Sequence, residues 1–483
     1  MLNALYQQTR NNIFETACDE TLFSLVEKAR DCGRVELAEK YTLEISNSVN
    51  ISIQKSMEQA KNYKARGNDD IARQILDKLL SSNTAEKTNL YPALLLLQGE
   101  WLFQSVAELN SVICKDYFQL ACEICEKSFS NHSSPEEIAK AYITLAEFAD
   151  TQFQKLREHI QGELFREKAK LLQRSEGDIV KLQGTNDPDA RKTLAILCKQ
   201  FRMDKEEIQH THNEKDRYQL MALDNYLKGL GLINKYDLFI FRVIALWLEA
   251  STGNQRVDVG PSKLDTAMKS KDIPSYKYIP VLHQLSGRLG TNSVATAALL
   301  DSILIKCAKE HPHQTLPVLL SQALLHKDKE LTTKANPRTS DSSENRVKAA
   351  RSLIEKLKRE KKGNELSTLA VKMEFLWNAL ISFAYFKPTQ KTTEQRHSIP
   401  STQDLLRIED ITVPTLNIPT NQSGIYNDVV CVRKFSSFFH LVGGINAPKR
   451  LMCSANNGKM YNMLVKVSHL TSVCIETIKY RVT

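Results

Sequence analysis

The sequence predicts a mainly α-helical protein, an α-solenoid of tetratricopeptide-like helical hairpins followed by an incomplete β-rich lobe. Leucine, alanine, glutamate and lysine dominate its 483 residues, whereas glycine (17) and proline (14) are scarce. That composition is typical of helices. An internal period of 34 residues (67 − 33) relates two early segments. Apolar residues of the kind that favour strands concentrate near the C-terminus, between residues 435 and 465.

The repeat is defined by two glycines and two alanines. Gly33 and Gly67 are 34 residues apart, and so are Ala38 and Ala72. A glycine that ends one helix, followed by a small residue that packs the next, is typical of tetratricopeptide repeats at this period. Because two copies are the minimum for recognising a repeat, a chance similarity between two helical hairpins is the alternative interpretation.

Further helices follow the repeat, and the clearest begins at Ser134. The serine can cap the helix, Pro135 suits the first helical position, and Glu137 can reach back to the cap amide. Apolar residues then recur on one helix face at Ile138, Ala141, Tyr142, Leu145, Phe148 and Ala149. Two earlier helices are predicted over residues 93–106 and 118–129.

Two pairs of metal-ligand residue types do not predict a metal site. Cys122 and Cys125 are spaced Cys-x-x-Cys, but they lie within a helical pattern and no second ligand pair is near. Buried structural thiols are favoured over a zinc or redox site. His311 and His313 lack a third ligand at a suitable spacing, so a helix that starts after Pro312 is favoured there.

Composition and charge limit the class of protein. The ten cysteines are scattered and no signal peptide is recognisable, which favours reduced thiols in the cytosol or nucleus. No apolar run is long enough to cross a membrane. The net charge of +9 permits acidic partners, but no nucleic-acid-binding motif accompanies it.

The second half alternates helical and polar stretches. Residues 189–216 are highly charged and predict a solvated helix, whereas 327–347 predict a linker. The basic cluster at 358–362 is either a nuclear import signal or a solvated helix end, and the helix end is favoured. Residues 366–386 predict the last long helix, and 387–401 a polar loop.

The stretch from Phe438 to Lys466 reads as three strands. Gly443 and Gly444 separate the first two strands, and the Asn-Gly pair at 457–458 indicates a hairpin before the third. A glycine loop followed by a strand lysine is one way to hold the phosphates of ATP, since backbone approaches them and the ammonium pairs with them. Two glycines and a lysine also occur by chance in antiparallel sheets.

Longer segments strengthen the nucleotide interpretation. LVGGINAPK at 441–449 and LVK at 464–466 resemble the start of the kinase domain in the phosphatidylinositol 3-kinase-related protein kinases. IEDITVPTLNIP at 408–419 and Ser423 to Tyr426 resemble the lead-in to that domain. Upstream, four segments resemble the end of the helical FAT domain of the same family, namely DRYQLMALDNYLKGL, DLFIFRVIALWLE, IPSYKYIPVLHQLSGRLG and AKEHPHQTLPVLL.

The resemblance implies a serine/threonine protein kinase of the response to double-strand DNA breaks. It implies ATP with Mg or Mn as cofactor, a nuclear location, and protein partners that include a second copy bound through the helical FAT surface. Only the ATP-binding residues Gly443, Gly444 and Lys466 can be carried over, and no catalytic or metal-binding residue can.

The same resemblance gives domain boundaries. The FAT helical-repeat domain is expected at 1–325, the linker and helices before the kinase at 326–400, the small-lobe fragment at 401–466 and a divergent tail at 467–483. The family has a glycine after the lysine, whereas Val467 follows Lys466 here. The family's catalytic loop, metal-binding aspartate and activation loop have no match after Lys466, so the chain alone is expected to be an inactive, truncated piece of the kinase. The alternative is a non-catalytic helical-repeat scaffold that binds protein partners.

Overall fold

The computed structural model describes residues 12–46, 49–82, 88–128, 134–183, 188–249, 262–325, 327, 341–359, 365–388, 396–442, 448–467 and 473–477. Its contacts divide the chain into two compact units, Met1–Tyr236 and Asp237–Thr483. Over the described ranges, the first unit is helical and the second combines helices with one antiparallel sheet. None of the helices in those ranges is long and apolar enough to cross a membrane.

Over its described residues, the first unit consists of helices. A π-helical turn, Ile113–Gln119, leads directly into the sixth helix. Besides the three-residue helical turn Asn110–Val112, which precedes the π-helical turn, the helices are α1 Asn12–Asp31, α2 Val35–Glu44, α3 Val49–Ala65, α4 Asp69–Leu80, α5 Tyr91–Ser105, α6 Leu120–Ser128, α7 Pro135–Gln161, α8 Glu163–Gln183 and α9 Pro188–Leu232.

The two repeat glycines end α1 and α3 in the same way. Gly33 has a φ of +73° and Gly67 a φ of +83°, a backbone conformation that disfavours residues with a Cβ atom. Their N–H groups donate to Arg30 and Lys64, while the next residues donate five positions back, to Ala29 and Tyr63. This pairing satisfies the last carbonyls of each helix. The predicted helical hairpins are thus confirmed, and the two alanines that share the 34-residue spacing, Ala38 and Ala72, are fully buried.

Helix α7 forms the core of the later part of this unit. Ser134 caps it as predicted, because its side chain accepts from the Glu137 N–H while Glu137 accepts from the Ser134 N–H. Helix α9 packs closely on α7 at Gly229, where an added Cβ would lie 2.7 Å from the Ile143 Cδ1 atom. The charged stretch 189–216 lies within the described part of α9, as the prediction of a solvated helix requires.

The second unit begins with helices and ends with the sheet. Its helices are α10 Ile240–Glu249, α11 Lys263–Ser270, α12 Leu282–Ser286, α13 Val294–Glu310, α14 Pro312–Ala323, α15 Asp341–Arg359 and α16 Glu365–Tyr385. Its strands are β1 His397–Ser398, β2 Ile411–Thr412, β3 Cys431–Leu441, β4 Lys449–Ala455, β5 Met460–Val467 and β6 Val473–Thr477.

The sheet is antiparallel and has the order β1-β3-β4-β5-β6, with β2 also paired to β3. The predicted three strands are confirmed as β3, β4 and β5. Only Gly458 has a positive φ in the turn that joins β4 to β5, and its N–H donates to the Ala455 carbonyl. The turn is therefore longer than the two-residue form in which both central residues need positive φ.

Three predicted boundaries are corrected. Helix α5 spans Tyr91–Ser105 rather than 93–106, since Val106 has a φ of +52° and ends the helix. The stretch 327–347 is not all linker, because α15 begins at Asp341 and its apolar face begins at the buried Val347. The stretch 387–401 includes β1, where Ser398 pairs with Phe438.

The fold class is confirmed by this arrangement of helical hairpins followed by a small sheet. The predicted domain boundaries at 325, 400 and 466 remain predictions, since the contacts define compact units and not family domains.

Candidate nucleotide-binding face

Side-chain alternation gives strands β4 and β5 two different faces. Leu451, Cys453 and Ala455 are buried on β4, and Met463 and Val465 are buried on β5. The intervening residues are half-buried or exposed. Because successive strand residues point to opposite sides, one face of the sheet is covered and the other is open.

Helix α16 covers the buried face. The Phe383 ring on α16 meets the Phe439 ring on β3 edge to face, with 5.2 Å between centroids. Both phenylalanines are fully buried. Helix α16 thus packs on one face of the sheet only. We call the opposite face the open face.

Lys449 is a charged residue on the covered face. It is only 6% exposed, and its Nζ donates to the Ala384 carbonyl near the C-terminal end of α16. The Phe383 ring centroid lies 5.7 Å from the same Nζ. Burial lowers the pKa of Lys449 to about 8 from its ordinary 10.5. The lysine therefore ties the start of β4 to the helix end, where the carbonyl partial charges favour a cation.

Lys466 lies on β5, as the sequence predicts, and is half-buried. The preceding residue on β5, Val465, pairs with Lys449 on β4. Since Val465 is on the covered face, alternation puts Lys466 on the open face. The same register puts Lys466 at the end of the sheet where β4 begins, beside Pro448.

The predicted phosphate loop starts and ends at that edge of the sheet. Gly443 and Gly444 lie outside the described residues, but the residues on either side of the loop are described. The Val442 N–H donates to the Pro448 carbonyl at 2.7 Å, so the two ends of the loop are joined. Lys466 is thus beside the neck of the loop.

A second cationic residue, Arg450, lies on the open face near Lys466. Arg450 on β4 pairs with His440 on β3 and with Leu464 on β5, which forms one row across the three strands. Burial, and next the charge of Arg450, lower the pKa of His440. A neutral histidine and two cations suit the phosphates of a nucleotide better than they suit a cationic ligand.

A second cluster holds the segment that precedes β3. His311 is fully buried between α13 and α14; its Nε2 lies 2.9 Å from the Ser275 Oγ, and its Nδ1 lies 2.6 Å from the Tyr426 hydroxyl. Ser275 also donates to the Glu310 carboxylate. Because the Ser275 hydroxyl proton goes to Glu310, Ser275 accepts a hydrogen bond from His311. The ring proton of His311 is therefore on Nε2, and Nδ1 accepts from the Tyr426 hydroxyl.

His313 makes a similar contact and completes this cluster. Its Nδ1 lies 2.9 Å from the Thr412 Oγ1 on β2, and its ring meets the Tyr426 ring at 5.6 Å. Burial lowers the pKa of both histidines. Among the described residues no group of three metal ligands occurs. The histidines thus join the start of α14 to the lead-in segment.

Sequence reasoning missed two of these residues. Nothing in the sequence indicates that Tyr426 meets His311, which is 115 positions away, although both lie in segments that carry the family resemblance. Lys449 belongs to the quoted segment 441–449, but a lysine in a strand gives no sign by itself of being buried. The predicted thiols Cys122 and Cys125 are buried, and burial raises their pKa to about 12 and 11 respectively.

Comparisons with known proteins identify the relatives of the chain. No family model matches it. The serine-protein kinase ATM of Sus scrofa is 29% identical over 470 residues, which cover 91% of this chain and 15% of that kinase. The serine/threonine-protein kinase tel1 of Schizosaccharomyces pombe is 26% identical over 399 residues, which cover 80% of this chain and 13% of the relative.

Solved structures give the same fold. The FAT and kinase domain of CtTel1 superposes with a TM-score of 0.74 at 18% identity, over 92% of this chain and 30% of that one. A complete CtTel1 dimer with C2 symmetry superposes with a TM-score of 0.73 at 19% identity, over 92% of this chain and 16% of that one. The chain's homologues are thus ATM and Tel1 kinases, and it matches their FAT and kinase region while spanning a small part of their length.

Proposed function

We propose that this chain joins the FAT helices to the kinase small lobe of an ATM/Tel1-type protein kinase and that its open face forms part of the ATP site. Lys466 pairs with the phosphates, while Gly443 and Gly444 let the loop backbone approach them. A magnesium or manganese ion accompanying ATP would be held by phosphate oxygens and by carboxylates.

One observation supports the proposal above the others. Lys466 is on the face opposite α16, beside the hydrogen-bonded neck between Val442 and Pro448. A lysine on the covered face would have no route to a ligand, as Lys449 illustrates. The position beside the neck is the one from which an ammonium can reach phosphates bound by the loop.

The wider role of the protein follows from its relatives as a proposal. The kinase of which this chain would form a part phosphorylates serine or threonine in the response to double-strand DNA breaks, acts in the nucleus, and forms a homodimer through FAT helices. The scaffold alternative, in which the helical repeats bind partners without catalysis, is not favoured, since the similarity to kinases extends over most of the chain and includes the sheet.

The test of the site is nucleotide binding by the 483-residue polypeptide. Fluorescence of an N-methylanthraniloyl-ATP probe with magnesium is measured for the unchanged chain, for Lys466→Met and for Lys459→Met. Lys459 is an exposed lysine in the β4–β5 turn, at the opposite end of the same strand, so it is a matched control. Loss of a charge-assisted contact is expected to weaken binding about tenfold for Lys466→Met alone.

Two results would overturn the proposed site. Equal affinity of the unchanged chain and Lys466→Met would remove the lysine from it. An equal loss in Lys459→Met would show that the probe responds only to net charge.

A further inference from the structure

A cavity in the first unit has features of a binding site. It has a volume of about 130 Å³ and lies where the end of α3, the start of α4 and the end of α5 meet. Its lining residues are mostly charged or polar, and they are Lys64, Asp69, Arg73, Trp101, Gln104 and Ser105.

Lys64 is held in place above an aromatic wall. Its Nζ lies 4.4 Å from the centroid of the Trp101 ring and donates to the Gln104 side-chain oxygen at 2.9 Å. Trp101 is 7% exposed and is part of the core beneath the cavity. Both contacts of the ammonium are to neutral groups, so they orient the charge without neutralising it.

Arg73 adds a second cation from the neighbouring helix. It is half-buried, and it has no ion-pair or hydrogen-bond partner among the residues that the structure describes. A half-buried guanidinium carries five donors in a fixed plane, which suits a carboxylate or phosphoryl oxygen pair.

The charged residues around Lys64 leave the lining of the cavity with a net positive charge. Burial is the largest cause of the lowered pKa of Lys64, and Arg73 lowers it further, whereas Asp69 and Glu100 oppose the shift. Of these, Asp69 and Arg73 line the cavity with Lys64, which gives the lining a formal charge of +1. Helix α4 also begins there without a side-chain cap from Asn68, and uncapped amides favour negative charge.

We propose that this cavity binds an acidic side chain of a protein partner, with Arg73 and Lys64 paired to its carboxylate or phosphoryl oxygens. Trp101 forms one wall of this cavity. Glutamate and phosphoserine present the same chemistry, namely two or more anionic oxygens on a short stem. This site uses none of the residues proposed for ATP.

The experiment is fluorescence anisotropy of short fluorescein-labelled peptides with the 483-residue polypeptide. Three peptides differ at one central position, which is serine, glutamate or phosphoserine. The glutamate or the phosphoserine peptide, or both, is expected to bind at least about tenfold more tightly than the serine peptide, because one charge-assisted contact is worth about that factor. The tighter of the two identifies the source of the anion.

Variants locate the binding. Arg73→Gln and Lys64→Met, on separate helices, are each expected to lower the affinity for the acidic peptide about tenfold. Lys78→Gln is the control, since Lys78 is exposed on the same helix as Arg73 and does not line the cavity. Circular dichroism melting checks that each variant is folded, and either cavity variant that is folded suffices for the test.

Several outcomes would overturn the proposal. Equal binding of the serine and acidic peptides would do so, as would a folded cavity variant with unchanged affinity. If Lys78→Gln lowers the affinity for the acidic peptide as much as Arg73→Gln does, the effect is due to overall charge and not to the cavity. A short DNA duplex that binds more tightly than every peptide, and loses affinity in Arg73→Gln, would assign the cavity to nucleic acid instead.

Discussion

Replacement of Lys449 by methionine is expected to change the pH dependence of sheet stability. The folded pKa of Lys449 is about 8 and its ordinary value is 10.5. Between pH 8 and pH 10.5, the Lys449 side chain is mostly protonated in the unfolded chain and mostly deprotonated in the folded chain. Stability contributed by this group therefore rises with pH through that window, and it is lowest below pH 8, where both states are protonated.

The size of the effect follows from the two pKa values. From pH 7 to pH 9 the linkage relation gives a gain of about 1.3 kcal/mol, which is about tenfold in an opening equilibrium. This is an upper value, because water that reaches the lysine screens its charge. Methionine has a similar length and no charge, so Lys449→Met loses this pH dependence while filling the same space.

The thiol of Cys453 provides a local assay. It is fully buried on the same face of β4, four positions from Lys449, so a labelling reagent reaches it only when the sheet opens. At each pH, the rate of Cys453 labelling in the unchanged chain is divided by the rate of Cys453 labelling in Lys449→Met. This ratio cancels the intrinsic reactivity of the thiolate. The ratio is expected to fall up to about tenfold from pH 7 to pH 9.

A control and a refuting result complete the test. Lys434→Met removes an exposed lysine from β3 of the same sheet, and its ratio should not change with pH. A flat ratio for Lys449→Met over the same range would show that Lys449 is no more difficult to protonate than a surface lysine.

Two further predictions concern the helices and the lead-in segment of the second unit. Tyr426→Phe removes the hydroxyl that donates to the buried His311, and it is expected to lower the free energy of local opening by about 1–3 kcal/mol. Hydrogen exchange over residues 421–430 should therefore be faster. The control is Tyr461→Phe, which loses an exposed contact to Asn457 and should leave exchange over residues 421–430 unchanged. Gly290→Ala meets a φ of +75° and a Cβ position 2.5 Å from the Asn345 carbonyl carbon, so a loss of about 1–3 kcal/mol should appear in urea unfolding, and an unchanged midpoint would contradict the strain.

The helical part of the fold could be predicted because its signals are local. The end of a helix at Gly33 or Gly67 depends on the absence of a Cβ atom, and the start of α7 depends on Ser134 and Glu137, all within a few residues. The π-helical turn at Ile113–Gln119 was missed, since its hydrogen-bond pattern has no residue signature of that kind.

The candidate site was predicted only in part. Its strand lysine and hairpin follow from alternation, but which face is covered depends on α16, and α16 has an apolar stripe that fits any partner. The buried position of Lys449 depends on the Ala384 carbonyl, 65 positions earlier. Such contacts depend on tertiary packing that a single sequence does not encode at any fixed spacing.

The two buried clusters suggest how the open face is positioned. Lys449 fixes the start of β4 to α16, and Tyr426 with Thr412 fixes the segment before β3 to the start of α14. Both attachments act on strands that lead into the loop at 443–447, from its two sides. A change at His311 or Lys449 should therefore alter nucleotide affinity without any contact to the nucleotide, because it shifts the loop neck relative to Lys466. Under that reasoning the affinity loss in Tyr426→Phe and in Lys466→Met should not add, since both act on the same geometry.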